Sequence, residues 1–595
     1  MTLLQLILLL LLIFLILAII IPLLQSLIYT IQQYQFRSKQ PSTAPLLGHV
    51  YTRHSFPLGI PAFARLLYAN YTYTTPEALK SSICKAQGRK THRRQILGRY
   101  VFFTIDPQNV KAMLATQFED FALGPRSKAL EPLLGAGVFT VDGTAWRHAR
   151  GMLRPQFARD QVSQVGMMGK HVELFLGQVE HATKDGGVVD IQELLFLLTL
   201  DTATEFLFGD SVGALEGKGK KDARETRSFG EAFTKAQRVL AHRVRAQGFC
   251  DAVTVAWPEF SRWCLECRTY TERFVLRALE RANQEDITVE GENKKKENKK
   301  RYVFLEELAK HTRDPDVLRD AALNVLLAGR DTTASSLAWA FYHLAKDITI
   351  QRRLRKILRG QFCNSETGEI EGMTFEGLKR CKYLQYVIKE TLRLHPPVPV
   401  NVRTATCDTT LPRGGYCKKM AGDWQSDDED GRVFVPKGSS VFYSAVAMHT
   451  DESVWDYGEE FLPSRWEGND NQDNDDDDDE HEDDNKEEKE RKKKRNFEKR
   501  VDPWQYIPFN GGPRVCLGQQ FALTELGYVI ARVVLYFEEI RLDEKKMMGG
   551  REEEEGRGFE KGFEKGKVKA LSDAQVTLSV AGGVWIRVMR NSGQI

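Results

Sequence analysis

Charge of neither sign dominates: 84 Lys and Arg stand against 81 Asp and Glu, a net charge of +3 over 595 residues. That balance gives no reason to expect nucleic acid as a partner, which would call for a basic surplus. Cysteine is sparse, nine in the chain. Its irregular spacing argues against a disulfide scaffold and for reduced cytosolic thiols. Cys264 and Cys267 form a lone CxxC without the second pair that a structural zinc site needs. No fixed period suggests a solenoid. No charge precedes the apolar N-terminus and no small-residue cleavage site follows it, so a removable leader is not expected.

What the N-terminus does have is a long apolar run. Leu3 to Ile21 is apolar except for Gln5, and apolar character resumes after Pro22. About 20 such residues span a bilayer as a helix. Arg37 and Lys39 follow, which places the bulk of the chain on the cytosolic side. The expected organisation is an anchor with its flank over residues 1–36, a linker stiffened by Pro41 and Pro45 over 37–50, and a globular body over 51–595. Three charged insertions, 286–301, 467–500 and 546–569, are too polar to bury and are expected to be solvated loops. A docking role for the acidic run within 467–500 is the alternative.

The body is expected to be mostly helical with small sheets. Val317 to Lys346 suits a buried central helix. Phe375 to Leu394 has helical apolar spacing and stops at His395-Pro396-Pro397. Strands are expected over Val398 to Thr406 and over Val433 to Ala447, the latter turning at Pro436-Lys437-Gly438. Another helix is expected from Leu517 to Phe537, directly after Cys516.

The decisive stretch is Pro508 to Gly518, a glycine-rich loop that delivers one cysteine to a helix start. Backbone N–H groups and the helix dipole favour thiolate there. A buried structural cysteine is the plain alternative, and the surroundings decide against it. Phe509, Gly512, Arg514, Cys516 and Gly518 meet every fixed position of F-x-x-G-x-R-x-C-x-G, so the sequence resembles the cytochrome P450 superfamily. The resemblance implies that Cys516 ligates a haem iron, that Phe509 packs near the sulfur and that Arg514 holds a haem propionate.

Ala328-Gly329-Arg330-Asp331-Thr332-Thr333 places an acid beside a hydroxyl in an oily helix, which is costly to bury. A hydroxyl bonded back to its helix and an acid paired with a nearby Arg would be the structural explanation. In the family, this stretch resembles the oxygen-activation motif: Thr332 hydrogen-bonds dioxygen and Asp331 relays protons. Glu390 and Arg393, spaced i, i+3, share a helix face. By resemblance they join Arg465 in a buried structural network, although Ser464 stands where the family often has Glu. Trp146 and Arg150, at i and i+4, resemble the family's propionate-holding pair, and Arg403 is a further candidate. His449 reads as a structural residue, not a ligand.

Finer likeness lies in Phe121 to Pro125, Pro132 to Gly135, Met152 to Phe157 and Gly518 to Thr524, which resemble the fungal branch that hydroxylates n-alkanes and fatty acids. The resemblance implies a P450 fold, one haem b, and a membrane enzyme of the endoplasmic reticulum with its catalytic body in the cytosol. It would insert one oxygen atom from O2 into a C–H bond of a lipophilic substrate. Electrons would come from NADPH through a cytochrome P450 reductase, since the chain shows no flavin or nicotinamide module. The rivals are a haem-thiolate hydroxylase of another lipophilic metabolite, an isomerase or dehydratase of lipid hydroperoxides, a non-enzymatic haem-binding membrane protein, and an interaction protein acting through its acidic run. Replacing Cys516 by Ala is expected to abolish haem-dependent activity and the red-shifted band of the reduced, carbon-monoxide-treated protein. A variant that kept that band would contradict the ligand assignment.

Overall fold

The computed structural model describes residues 3–40, 49–53, 56–83, 89–157, 166–216, 223–246, 257–289, 302–416, 431–469, 501–547, 570–574 and 576–590. Most of the expected linker (41–48) and most of each charged insertion (290–301, 470–500 and 548–569) lie outside the described residues.

Helix α1 (Leu3–Ser38) is long and apolar enough to cross a bilayer. It does not stand clear of the body. Gln25 Nε2 donates to Gly98 O at 2.6 Å, Tyr29 Oη donates to Phe434 O at 2.9 Å, and the Phe36 ring lies 5.0 Å from that of Phe434. Residues 37–38 finish this helix, and His49–Val50 pair as a short strand with Gly415 and Tyr416. The segment read as linker therefore has structured ends.

Helices α2 (Ile60–Tyr71), α3 (Pro125–Leu134) and α4 (Gly143–Leu153) precede a helical core made by α5 (Ile191–Phe208), α6 (Pro315–Lys346), α7 (Lys382–Leu394) and α8 (Gln519–Tyr536). The centre is α6. Asp314 caps it, accepting from Asp316 N at 2.9 Å, and Pro315 follows at the first turn, where a missing N–H costs nothing. Its 32 residues rise about 48 Å. It is buried nearly all round, so it lacks the one-sided stripe of a surface helix. Asp347 ends it and caps the next helix.

The expected single helix over Phe375 to Leu394 is two helices. The chain leaves helical geometry at Cys381 (ψ 84°), which ends Phe375–Arg380 and precedes α7. The residues flanking Pro436 to Gly438 also form no hairpin with each other. Gly431–Val435 pairs with Thr409–Tyr416, whereas Ser440–Ser444 enters the largest sheet. That sheet runs β1 (Thr52–Arg53), β2 (Thr91–Ile96), β3 (Arg99–Thr104), β6 (Ser440–Ser444), β5 (Val400–Ala405), β4 (Phe121–Ala122). Strand β6 is parallel to β3 and antiparallel to β5.

A charged knot ties α7 to the loop before residue 470. Glu390 and Arg393 are fully buried. The Glu390 carboxylate accepts from Arg393 Nη2 at 2.8 Å and Nε at 2.9 Å, Arg465 Nε at 3.1 Å, Leu462 N at 2.9 Å and Trp466 Nε1 at 2.9 Å. Arg393 also donates to the carbonyls of His449, Gly458 and Glu460. Such a pair holds only when every lone pair and proton is satisfied, and removing one partner leaves a bare buried charge. Glu390→Gln is expected to lower stability by about 3–5 kcal/mol, read as a shift in the urea midpoint of the haem-loaded protein. A loss below about 1 kcal/mol, the size of an exposed pair, would contradict this.

Candidate active site

Two glycines decide where Cys516 sits. At Gly512, φ is +65° and a Cβ would lie 1.8 Å from Leu114 O. At Gly511 a Cβ would lie 2.4 Å from the Trp504 ring. Only glycine lets the loop press this close. The turn is closed by Cys516 N donating to Phe509 O at 3.0 Å. Gly518 leaves room, its Cβ position meeting nothing nearer than Phe157 at 3.8 Å.

Cys516 does not start the helix. The helix begins at Gln519 with Gly518 as its N-cap residue, so the sulfur lies just ahead of it. Burial pushes the Cys516 thiol up, opposed by the Gly518 N–H and by Arg150, both of which favour the anion. The expected help from the backbone is present, but desolvation outweighs it in the free thiol. The residue nonetheless keeps accessible surface, so it borders space that no other side chain fills.

Helix α6 borders open space too. Val325, Ala328, Gly329 and Thr332 are its half-exposed stripe, at spacings of three and four, in a helix otherwise buried here. A Cβ built on Gly329 meets nothing within 4 Å. Val325, Leu517 and Val138 all pack against one buried hydrophobic cluster, and Val138 O accepts from Arg514 of the cysteine loop.

Thr332 Oγ1 donates to Ala328 O at 2.6 Å, the back-bond that the helix itself offers. Asp331 is buried, with Arg330 Nη1 3.4 Å from its Oδ1 and Gln237 beside it. Oδ1 has no hydrogen-bond partner. Burial pushes the Asp331 carboxyl up, only partly offset by Arg330. Arg330 Nη2 donates to Thr234 Oγ1 at 3.0 Å.

The cationic candidates converge. Arg514 donates to Val138 O at 3.2 Å, Val141 O at 3.1 Å and Asp142 Oδ1 at 2.6 Å, and lies 4.5 Å over the Trp146 ring. Arg150 Nη2 donates to Val515 O at 2.8 Å, and its guanidinium lies 5.8 Å from Trp146. Arg403 Nη1 donates to Val402 O at 2.8 Å and Asn401 Oδ1 at 3.2 Å. Arg126 joins them, Nη1 donating to the same Asn401 Oδ1 at 2.6 Å. Burial, then Arg403, presses the Arg126 pKa down to about 10. The sequence reading missed Arg126. Its only signal was its place directly after the Phe121 to Pro125 stretch, and Gly124 (φ +62°) closes that stretch onto Thr404.

The central helix holds this region in place. Asp320 Oδ2 accepts from Ala136 N at 2.8 Å and Asn324 Nδ2 donates to Leu134 O at 2.9 Å. That fixes the loop whose carbonyls receive Arg514. Asp142 is the one carboxylate paired with the four arginines among the described residues. Such a surplus of half-desolvated cations suits a planar ligand bearing two carboxylates and a metal facing Cys516. The residues therefore fit haem. His449 is buried and neutral: its Nε2 accepts from Ile507 N at 2.9 Å and burial pushes its pKa down to about 3. Cys264 and Cys267 are buried in one helix.

A family model for cytochrome P450 matches residues 61–419 and 423–557. Cytochrome P450 52-E3 of Starmerella bombicola is 40% identical over 497 residues, covering 82% of this chain and 85% of its own. Cytochrome P450 52A12 of Debaryomyces hansenii is 40% identical, covering 80% and 83%. Cytochrome P450 52A3-A of Candida maltosa is 42% identical, covering 74% and 76%. Arg126→Gln is expected to speed haem loss to a scavenging apoprotein by about 10- to 100-fold, one charged hydrogen bond's worth. An unchanged rate would remove Arg126 from the cofactor's partners.

Proposed function

Because the chain belongs to the cytochrome P450 family and is a haem-dependent monooxygenase, we propose that it hydroxylates n-alkanes or fatty acids near the chain terminus, with electrons drawn from NADPH through a separate reductase. Its likeness to the cytochromes P450 52 over most of their length supports this. So does α1, which would keep the body where lipophilic substrates dissolve. The membrane we propose is that of the endoplasmic reticulum, with Arg37 and Lys39 holding the body on the cytosolic side.

When bound, haem supplies the activation of dioxygen and the insertion of one oxygen atom into a C–H bond. The chain's own residues do the rest. Cys516 would hold the iron, its sulfur anion favoured by the Gly518 N–H and by Arg150. Arg126, Arg403 and Arg514, with Trp146 beneath the last, would hold the propionates. The observation that carries the reaction is the stripe of α6. It brings a hydroxyl, Thr332, to the edge of the space open at Gly329, with an acid directly behind it. Asp331 sits in a dry setting that raises its pKa, so it can carry a proton and pass it on. The Thr332 hydroxyl, now bonded to Ala328 O, can turn outward and donate. Glu390, Arg393 and Arg465 would act only by holding the frame.

Isomerases and dehydratases of lipid hydroperoxides need no proton delivery of this kind, so the Asp331 and Thr332 pair weighs against that reading. Products formed from a panel of alkanes and fatty acids by microsomes with reductase and NADPH test the proposal. Turnover of a hydroperoxide without reductase would favour the rival instead. Thr332→Ala is expected to divert reducing equivalents to hydrogen peroxide. Product per NADPH should fall by at least about tenfold, a modest share of what positioned proton transfer supplies. Equal coupling in the variant would contradict the role of Thr332.

A further inference from the structure

We infer that Arg53, Arg65 and Arg94 form a binding site for the phosphate of an anionic phospholipid headgroup, at the foot of α1. This rests on the reading of α1 as a membrane span and uses none of the residues assigned to haem. Arg94 is 4% exposed, yet among the described residues its side chain has no hydrogen bond or ion pair, and its Nε is buried without an acceptor. The parallel register of β1 and β2 sets Arg53 opposite Arg94, on the same face. Arg65 comes from α2, which packs on β2. Burial, then Arg53, then Arg65, pushes the Arg94 pKa down to about 10. His92, two residues earlier on that face, is fully buried with neither ring nitrogen bonded. Among the described residues no carboxylate pairs with the three arginines. Like charges around a desolvated guanidinium are costly until an anion joins them.

The place of the cluster selects the anion. Residues 6–24 of α1 are apolar without interruption, and Gln25 is the first polar residue after them. Gln25 is bonded to the β2–β3 hairpin, accepting from Gln95 Nε2 at 3.2 Å and donating to Gly98 O. Gly59, which caps α2, sits so close to the same strand that a Cβ would lie 2.2 Å from Gln95 O. Hairpin, α2 and the end of the apolar run therefore meet along β2 at headgroup depth, with α1 on the Arg93 and Gln95 face and Arg53 and Arg94 on the other. On α2, Leu67, Tyr68 and Tyr71 are at least half exposed, an apolar surface suited to the adjoining lipid. Several arginine forks match the three free oxygens of a phosphate monoester better than one carboxylate.

Native mass spectrometry of the full-length haem-loaded protein in detergent tests the inference, with phosphatidic acid, phosphatidylcholine, palmitate or inorganic phosphate added. One phosphatidic acid molecule is expected to be retained. Retention should weaken about tenfold in Arg94→Gln and about fivefold in Arg65→Gln. Arg65 is exposed on its helix, so that variant reads binding even if Arg94→Gln does not fold. Undiminished retention in Arg65→Gln would overturn the site, and so would equal retention of phosphatidylcholine. Preference for inorganic phosphate or palmitate would overturn the headgroup assignment. Micelles present lipid whether or not α1 spans a bilayer. The anchor is read separately, by alkaline extraction of membranes.

Discussion

Buried positive charge without matching acid is the constraint around which this site is arranged. Arg126, Arg150, Arg403 and Arg514 gather near Asn401, Trp146 and the cysteine loop, and Asp142 is their one described carboxylate partner. A guanidinium half out of water must be answered by hydrogen bonds or by an anion. Carbonyls at Val138, Val141, Val402 and Val515 answer part of that demand. What they leave is a place for negative charge near the cysteine loop. A bound haem would thus be held both through its carboxylates and through the Cys516 sulfur.

The chemistry is divided along the same lines. Residues that fix position are satisfied in the protein itself, as the Glu390 carboxylate with its five donors shows. Residues proposed to act are left incomplete. Asp331 keeps an oxygen without a donor, and Thr332 holds only a bond to its own helix. Incomplete groups cost stability where they stand, and the long, nearly fully buried α6 supplies the packing that tolerates them.

Local patterns made much of this legible. The cysteine loop, the acid and hydroxyl of α6, and the i, i+3 pair on α7 are short-range signals, each tied to a helix or turn that forms from neighbouring residues. What sequence did not disclose depends on register between distant strands. Arg126 meets Arg403 only because β4 pairs with β5, and the strands around Pro436 to Gly438 part into different sheets because their partners differ. The break at Cys381 escaped notice because the apolar spacing runs on through it. The docking of α1 through Gln25, Tyr29 and Phe36 was invisible for the same reason, since its partners Gly98 and Phe434 lie far along the chain.

The contact between Gly512 and Leu114 O carries a consequence for biogenesis. Its two sides are separated by most of the polypeptide, so closing it is a non-local event with a large loop-closure cost. During synthesis the arginines of the first third emerge long before the sulfur does. Arg126 is placed by Asn401 and Arg150 by Val515 O, so neither side of the site is assembled until ribosomal elongation has passed Gly518. Premature termination upstream would remove the sulfur and, with Val515, the carbonyl that places Arg150.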